Sequence, residues 1–273
     1  MPIADLSHVR IHYQLDGPDA APVVMLSNSL MSNLRMWDLQ MPGLLESFRV
    51  LRYDTRGHGQ SEVTQGPYTI EQLADDAAEL IDFNRLDAVH FVGLSMGGMI
   101  GQQLAVRHPT KVLSLSLCDT ASEMPTPEMW NERIAIARDK GVAGLIDGTI
   151  KRWFVSDFVA KSADVIEGVR RMILTTPTDG YISCASAVRD MSQTHLLKHI
   201  KAPTQVIVGR DDPACTLAQA MVLQQEIPGA ELHVIDHAAH LSNIEKPETF
   251  TRLLADFIAL HASGSAGLDS TTS

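Results

Sequence analysis

Aromatic residues are scarce in this chain, at 5% of the total, and only three cysteines occur, Cys118, Cys184 and Cys215, far apart and without a Cys-x-x-Cys pair. Spacing of that kind excludes a disulfide framework, and no paired histidines stand beside the cysteines to complete a zinc site. Basic clusters are missing too: no run of Lys and Arg exceeds two residues, and 22 basic against 33 acidic residues give a net charge of −11. Such a surface offers no electrostatic footprint for nucleic acid or an acidic membrane. No window approaches about 18 uninterrupted apolar residues, and the first residues lack the basic-then-apolar order of a secretory signal. A cytoplasmic protein without nucleic-acid or membrane partners is therefore expected.

What is present suits one large core. With 273 residues, 45% of them hydrophobic, the chain has room for a single α/β core carrying an insertion. The alternation of Val9, Ile11 and Tyr13 suggests a first strand, and short apolar runs rich in β-branched residues follow at 23–26, 48–53, 89–92, 112–117, 204–208 and 232–235. Continuous runs suit strands buried on both faces of a mostly parallel sheet. Helical periodicity fills gaps between them, as at 70–83, where Leu73, Ala77, Leu80 and Ile81 share a stripe, and at 99–106. The alternation predicts an α/β sandwich with helices flanking the sheet. The pattern breaks over 121–193, where Pro125, Pro127 and Pro177 punctuate helix-like segments and no strand is evident. We expect a core at 1–120 and 194–262, a helical cap at 121–193, a final helix near 247–260 and a flexible tail at 263–273.

The stretch Phe91-Val92-Gly93-Leu94-Ser95-Met96-Gly97-Gly98 is an apolar run feeding Gly-x-Ser-x-Gly and then a helical pattern. A serine on a sharp turn between strand and helix takes strained backbone angles, and glycines two before and two after it relieve the crowding. A phosphate-binding loop would need a following Lys or Gly-x-Gly-x-x-Gly, and neither is there. Ser95 is thus a candidate nucleophile, which requires a histidine base and a carboxylate behind it, in the chain order Ser, acid, His. The turn Gly209-Arg210-Asp211-Asp212-Pro213 ends an apolar run with two acids; Asp212 is preferred and Asp211 competes with it. Asp236-His237-Ala238-Ala239-His240 follows the last predicted strand, with His240 preferred and His237 its rival, while His8, His12, His108, His195, His199 and His233 read as surface or structural side chains. Backbone N–H groups of Met96 and Leu30 would form an oxyanion hole, the latter in the loop Ser27-Asn28-Ser29-Leu30, whose Asn-Ser pair is also plain turn chemistry.

Several segments together carry a closer likeness. Ser27-Asn28-Ser29-Leu30 with Met36-Trp37, Asp54-Thr55-Arg56-Gly57-His58-Gly59, Gly66-Pro67-Tyr68-Thr69-Ile70, Gly93-Leu94-Ser95-Met96-Gly97-Gly98 and His240-Leu241-Ser242-Asn243 make the chain resemble the 3-oxoadipate enol-lactonases of the α/β-hydrolase superfamily. Pro127-Glu128-Met129-Trp130 with Arg133, Arg152-Trp153-Phe154, and Gly180-Tyr181 with Cys184 add to the likeness within the cap. The resemblance implies a Ser-His-Asp hydrolase that needs neither metal nor organic cofactor and opens a carboxylated lactone in the catabolism of aromatic compounds. Its substrate would be a small anion, repelled at long range by this acidic chain, so a local cation is needed. Arg133 is the candidate, three residues after Trp130 on one helical face. Ser29, Trp130 and Trp153 are expected to touch substrate, with Phe154 closing an apolar lid, while Arg56 braces its own turn. Two departures, Met31 where the family commonly has glycine and Glu123 where a base is frequent, are expected to reshape the pocket. A carboxylesterase or cofactor-free perhydrolase on the same scaffold is the alternative, a hydrolase-fold ligand receptor a more distant one, and homo-oligomer formation is left open.

Overall fold

The computed structural model describes residues 2–262, and the tail expected at 263–273 lies outside them. Eight strands form one sheet in the order β1-β2-β4-β3-β5-β6-β7-β8. They are β1 (Ile3–Asp5), β2 (Arg10–Asp16), β3 (Val23–Ser27), β4 (Arg49–Tyr53), β5 (Val89–Leu94), β6 (Val112–Cys118), β7 (Thr204–Gly209) and β8 (Glu231–Ile235). β2 runs antiparallel to β1 and β4, and every later pairing is parallel. All residues of β5 and β7 are buried, whereas β1 and β8 at the edges are partly exposed. That gradient is why the central strands read as unbroken apolar runs. β1 was not anticipated, being only three residues long and so too short to show a period.

Helices flank the sheet. Ile70–Phe83 starts on a Thr69 cap, whose side chain accepts the Gln72 N–H, and buries Leu73, Ala77, Leu80 and Ile81. It packs on Met96–Arg107, the helix that follows β5, and Pro247–Ala262 packs against β6. Leu217–Glu226, begun by a Thr216–Gln219 capping box, joins β7 to β8 where the sequence reading placed no helix. Between β6 and β7 the chain forms the helices Pro127–Lys140, Ile146–Trp153, Ser156–Lys161, Ala163–Leu174 and Thr178–Asp190, with only an isolated bridge from Glu123 to Ser192. Among the described residues no helix is long and apolar enough to cross a membrane.

The carboxyl ends of the parallel strands place the chemistry-bearing turns side by side. β5 ends at Leu94, β6 at Cys118, β7 at Gly209 and β8 at Ile235, and these four strands are consecutive neighbours in the sheet. Residues remote in sequence therefore converge on one rim.

Candidate active site

Ser95 sits between β5 and its helix at φ +57° and ψ −118°, a conformation that is costly for any residue with a side chain. Its glycines are required by contact. A Cβ on Gly93 would lie 2.1 Å from Gly97 O, and one on Gly97 would lie 2.2 Å from Ser27 O. The Ser95 N–H donates to Cys118 O (2.9 Å), and the Thr120 hydroxyl donates to Ser95 O (2.7 Å). The strained turn is thus clamped from the neighbouring strand.

The three side chains expected to act together do meet. Ser95 Oγ and His240 Nε2 are 2.9 Å apart, and His240 Nδ1 is 2.8 Å from Asp212 Oδ2. The other oxygen of Asp212 accepts the N–H groups of Ala214 (2.7 Å) and Cys215 (3.0 Å), so both lone-pair faces of the carboxylate are committed. With Nδ1–H donated to Asp212, Nε2 is left free to accept the serine hydroxyl. All three residues are buried. Asp211 and His237, the rival candidates, are exposed and line a separate surface depression. Cys215 brings its sulfur within 4.8 Å of the ligand-type atoms of Asp212 and His240, but those two are already engaged with each other.

Leu30 and Met96 line the same cavity as Ser95 and His240. Among the described residues no acceptor for the N–H of Leu30 or Met96 is found, as suits donors held for a passing charge. Asn28 has only a structural part: it donates to Tyr53 O (2.6 Å) and accepts from Trp37 Nε1 (2.9 Å), which fixes the loop beneath Leu30. Met31 follows at φ +67°, which accounts for the preference for glycine there. Its N–H donates to His58 Nε2 (3.1 Å); burial pulls the His58 imidazole down to about 4, keeping it a neutral acceptor.

The cavity measures about 180 Å³ and is roofed by the helical segment. Ser29, Trp130, Arg133 and Trp153 line it, as expected, together with Met96, Met99, Met124 and Met129. Three expectations need correction. Phe154 does not line it but stacks on Phe158, with ring centroids 5.4 Å apart. Met31 is fully buried outside it, its sulfur 3.9 Å from the Thr149 hydroxyl, and Glu123 lies beyond it, accepting from Ser192 Oγ. Neither side chain lines the pocket. Arg56 forms a two-pronged pair with Asp76, bracing its turn as anticipated.

Sequence reasoning missed Arg152, which lines the cavity beside Arg133. Burial first, and then the Arg133 charge, pull the Arg152 guanidinium down to about 10, so it stays cationic at neutral pH. Among the described residues neither arginine pairs with a carboxylate; Arg152 has only a long bond to Thr149 Oγ1 (3.4 Å), and Arg133 lies over the Trp130 ring at 4.7 Å with its Nε unpartnered. Two half-buried cations with no carboxylate partner among the described residues have the chemistry to accept an anion. The roof is also tied to the histidine turn, since Leu241 N–H donates to Trp153 O (3.0 Å) and Val155 N–H to Glu245 Oε1 (2.8 Å).

The profile of the α/β hydrolase fold matches residues 22–247. The chain belongs to that family. Within the α/β hydrolases it is 34% identical to 3-oxoadipate enol-lactonase 1 of Acinetobacter baylyi, over 90% of this chain and 91% of the relative. An enol-lactonase from Burkholderia xenovorans LB400 superposes with a TM-score of 0.92 at 40% identity, covering 94% of this chain and 100% of that one. A malate-bound thermophilic esterase from Thermogutta terrifontis gives 0.89 at 27% identity, covering 95% and 98%. This α/β hydrolase is an enzyme similar to the enol-lactonases, a class of ester hydrolase.

Proposed function

We propose that the enzyme opens the ring of 3-oxoadipate enol-lactone, or of a close lactone bearing a carboxylate, within the breakdown of aromatic compounds. The observation that carries this reading is the pair of guanidinium groups, Arg133 and Arg152, which meet no carboxylate among the described residues and line the cavity that holds Ser95. A chain of net charge −11 repels anions at a distance, so cations retained at that one place have a local purpose. Residues 121–193 act as a cap over the core formed by 1–120 and 194–262.

In this mechanism His240 takes the Ser95 proton as the oxygen attacks the lactone carbonyl. The resulting oxyanion is held by the Leu30 and Met96 N–H groups, an arrangement worth several kcal/mol in a dry site. Asp212 keeps the imidazole in one tautomer and stabilises its charged form. When the tetrahedral centre collapses, the ring C–O bond breaks, the enolate leaves and the imidazolium returns the proton. The enol becomes the ketone. Water, deprotonated by His240, then attacks the acyl-serine, and the imidazolium passes that proton to Ser95 Oγ as the serine leaves and the second carboxylate is freed. None of these steps calls for a metal or an organic cofactor.

Product analysis after offering the enol-lactone tests the reading: stoichiometric 3-oxo dicarboxylate is expected, at a far higher kcat/KM than for uncharged aryl esters. Equal rates on the two classes would instead favour a general carboxylesterase.

A further inference from the structure

The turn that closes β6, Cys118-Asp119-Thr120, touches all three segments of the Ser-His-Asp relay. Two of its contacts hold Ser95, through Cys118 O and the Thr120 hydroxyl. The Asp119 carboxyl group reaches the other two. Its Oδ1 accepts the N–H of Gly209 (2.7 Å), where β7 gives way to the Asp212 turn, and its Oδ2 accepts the hydroxyl of Ser242 (2.5 Å), two residues beyond His240. Asp119 also donates its own N–H to Ile207 O (2.8 Å).

This placement is costly. Asp119 has no solvent exposure and lies at φ +44°, in the left-handed region that a side chain disfavours. Burial first, and then the charge of Asp212, push its carboxyl group well above the usual carboxylate range, which favours the neutral form. A buried acid in a strained conformation persists only where its surroundings fix it. Space around the two turns is equally tight, since a Cβ on Gly209 would lie 2.3 Å from Ala239 O. Little slack exists to restore the alignment if the link were lost.

We propose that Asp119 is a positioning residue, whose carboxyl group fastens the Asp212 turn to the His240 turn and so sets the alignment of the imidazole–carboxylate hydrogen bond. The inference rests on the relay assigned under the proposed function, but it concerns a residue outside that relay. Misplacing a reacting group by about 1 Å costs on the order of 100-fold in rate. Asp119→Ala should therefore lower kcat on an uncharged aryl ester by roughly 10- to 100-fold with KM little changed. Asp119→Asn should recover most of the loss, because its amide oxygen can still accept from Gly209 and its NH₂ can donate to Ser242 Oγ.

The low-field proton resonance of His240 Nδ1–H gives a second reading that needs no substrate. It should broaden or shift in Asp119→Ala and return in Asp119→Asn. A folded Asp119→Ala enzyme with unchanged kcat, or with an unchanged resonance, overturns the proposal. So does an Asp119→Asn enzyme whose kcat/KM profile moves on the acid side, which would show that the group acts by charge. Should Asp119→Ala fail to fold, Ser242→Ala removes one tie alone: a several-fold lower kcat with a disturbed resonance supports the proposal, and wild-type values for both refute it. If Ser95→Ala left hydrolysis intact, the assigned relay would fall instead, and the resonance would still report on Asp119.

Discussion

The floor and the roof of the cavity are built on opposite terms. On the floor, the polar atoms of Ser95, His240 and Asp212 are already joined in hydrogen bonds before any ligand arrives. Under the roof, among the described residues, Trp130 Nε1 and Arg133 Nε are buried without a partner and Arg152 has no carboxylate. A satisfied network is rigid and preserves geometry, whereas an unsatisfied one waits for a ligand to complete it. The comparison teaches that, under the proposed function, reaction and selection are kept apart: the strand ends would carry the chemistry, and the helical segment above would choose the molecule.

Breaking the floor should have the largest effect. Ser95→Ala is expected to lower kcat by at least about 10⁴-fold on every ester or lactone, charged or not, with circular dichroism confirming the fold. Acid should loosen the same half of the molecule next. Burial lowers His58 and His90 to about 4 from the ordinary 6.5, so the unfolded chain takes up protons first as pH falls. The contribution of each imidazole is then fully present above about 6.5 and lost progressively towards pH 4, by about 3 kcal/mol, while the raised carboxyl of Asp119 acts in the opposite sense. Denaturant titrations at pH 7, 5.5 and 4 check this as the difference between the enzyme and a His90→Gln variant, and the same pH response in both would contradict it.

Breaking the roof should leave the chemistry alone. Arg152→Ala and Arg133→Ala are each expected to raise KM for the anionic lactone by roughly 10- to 100-fold, the value of one charge-assisted hydrogen bond. Hydrolysis of an uncharged aryl ester should change less than about twofold, since no charged contact is lost there. Equal losses on both substrates would erase the division between the two halves. Met31→Gly sharpens it at the smallest scale. Relief of the left-handed backbone returns about 1 kcal/mol, and loss of a buried side chain removes about 2 kcal/mol. A slightly lower Tm is expected, with KM unchanged because Met31 lies outside the cavity.

The floor was far more legible in the sequence than the roof. Gly93, Ser95 and Gly97 advertise a steric necessity, and Asp212 and His240 each follow a strand whose apolar run is plain. Such signals are local, since strand, turn and helix adjoin. Arg133 could also be read locally, because its three-residue spacing from Trp130 places the guanidinium over the ring. Arg152 could not: its meaning comes from a helix that returns over the cavity, and its sole signal was the neighbouring Trp153. Asp119 was invisible for the same reason. Its partners lie 90 and 123 residues away, and nothing in the segment from Cys118 to Glu123 marks one acid as buried rather than solvated.

The bonds from Leu241 N–H to Trp153 O and from Val155 N–H to Glu245 have a mechanical consequence. They fasten one corner of the helical segment over the cavity to the very loop that bears His240. Through them a displacement of that corner is passed on to the turn that carries His240.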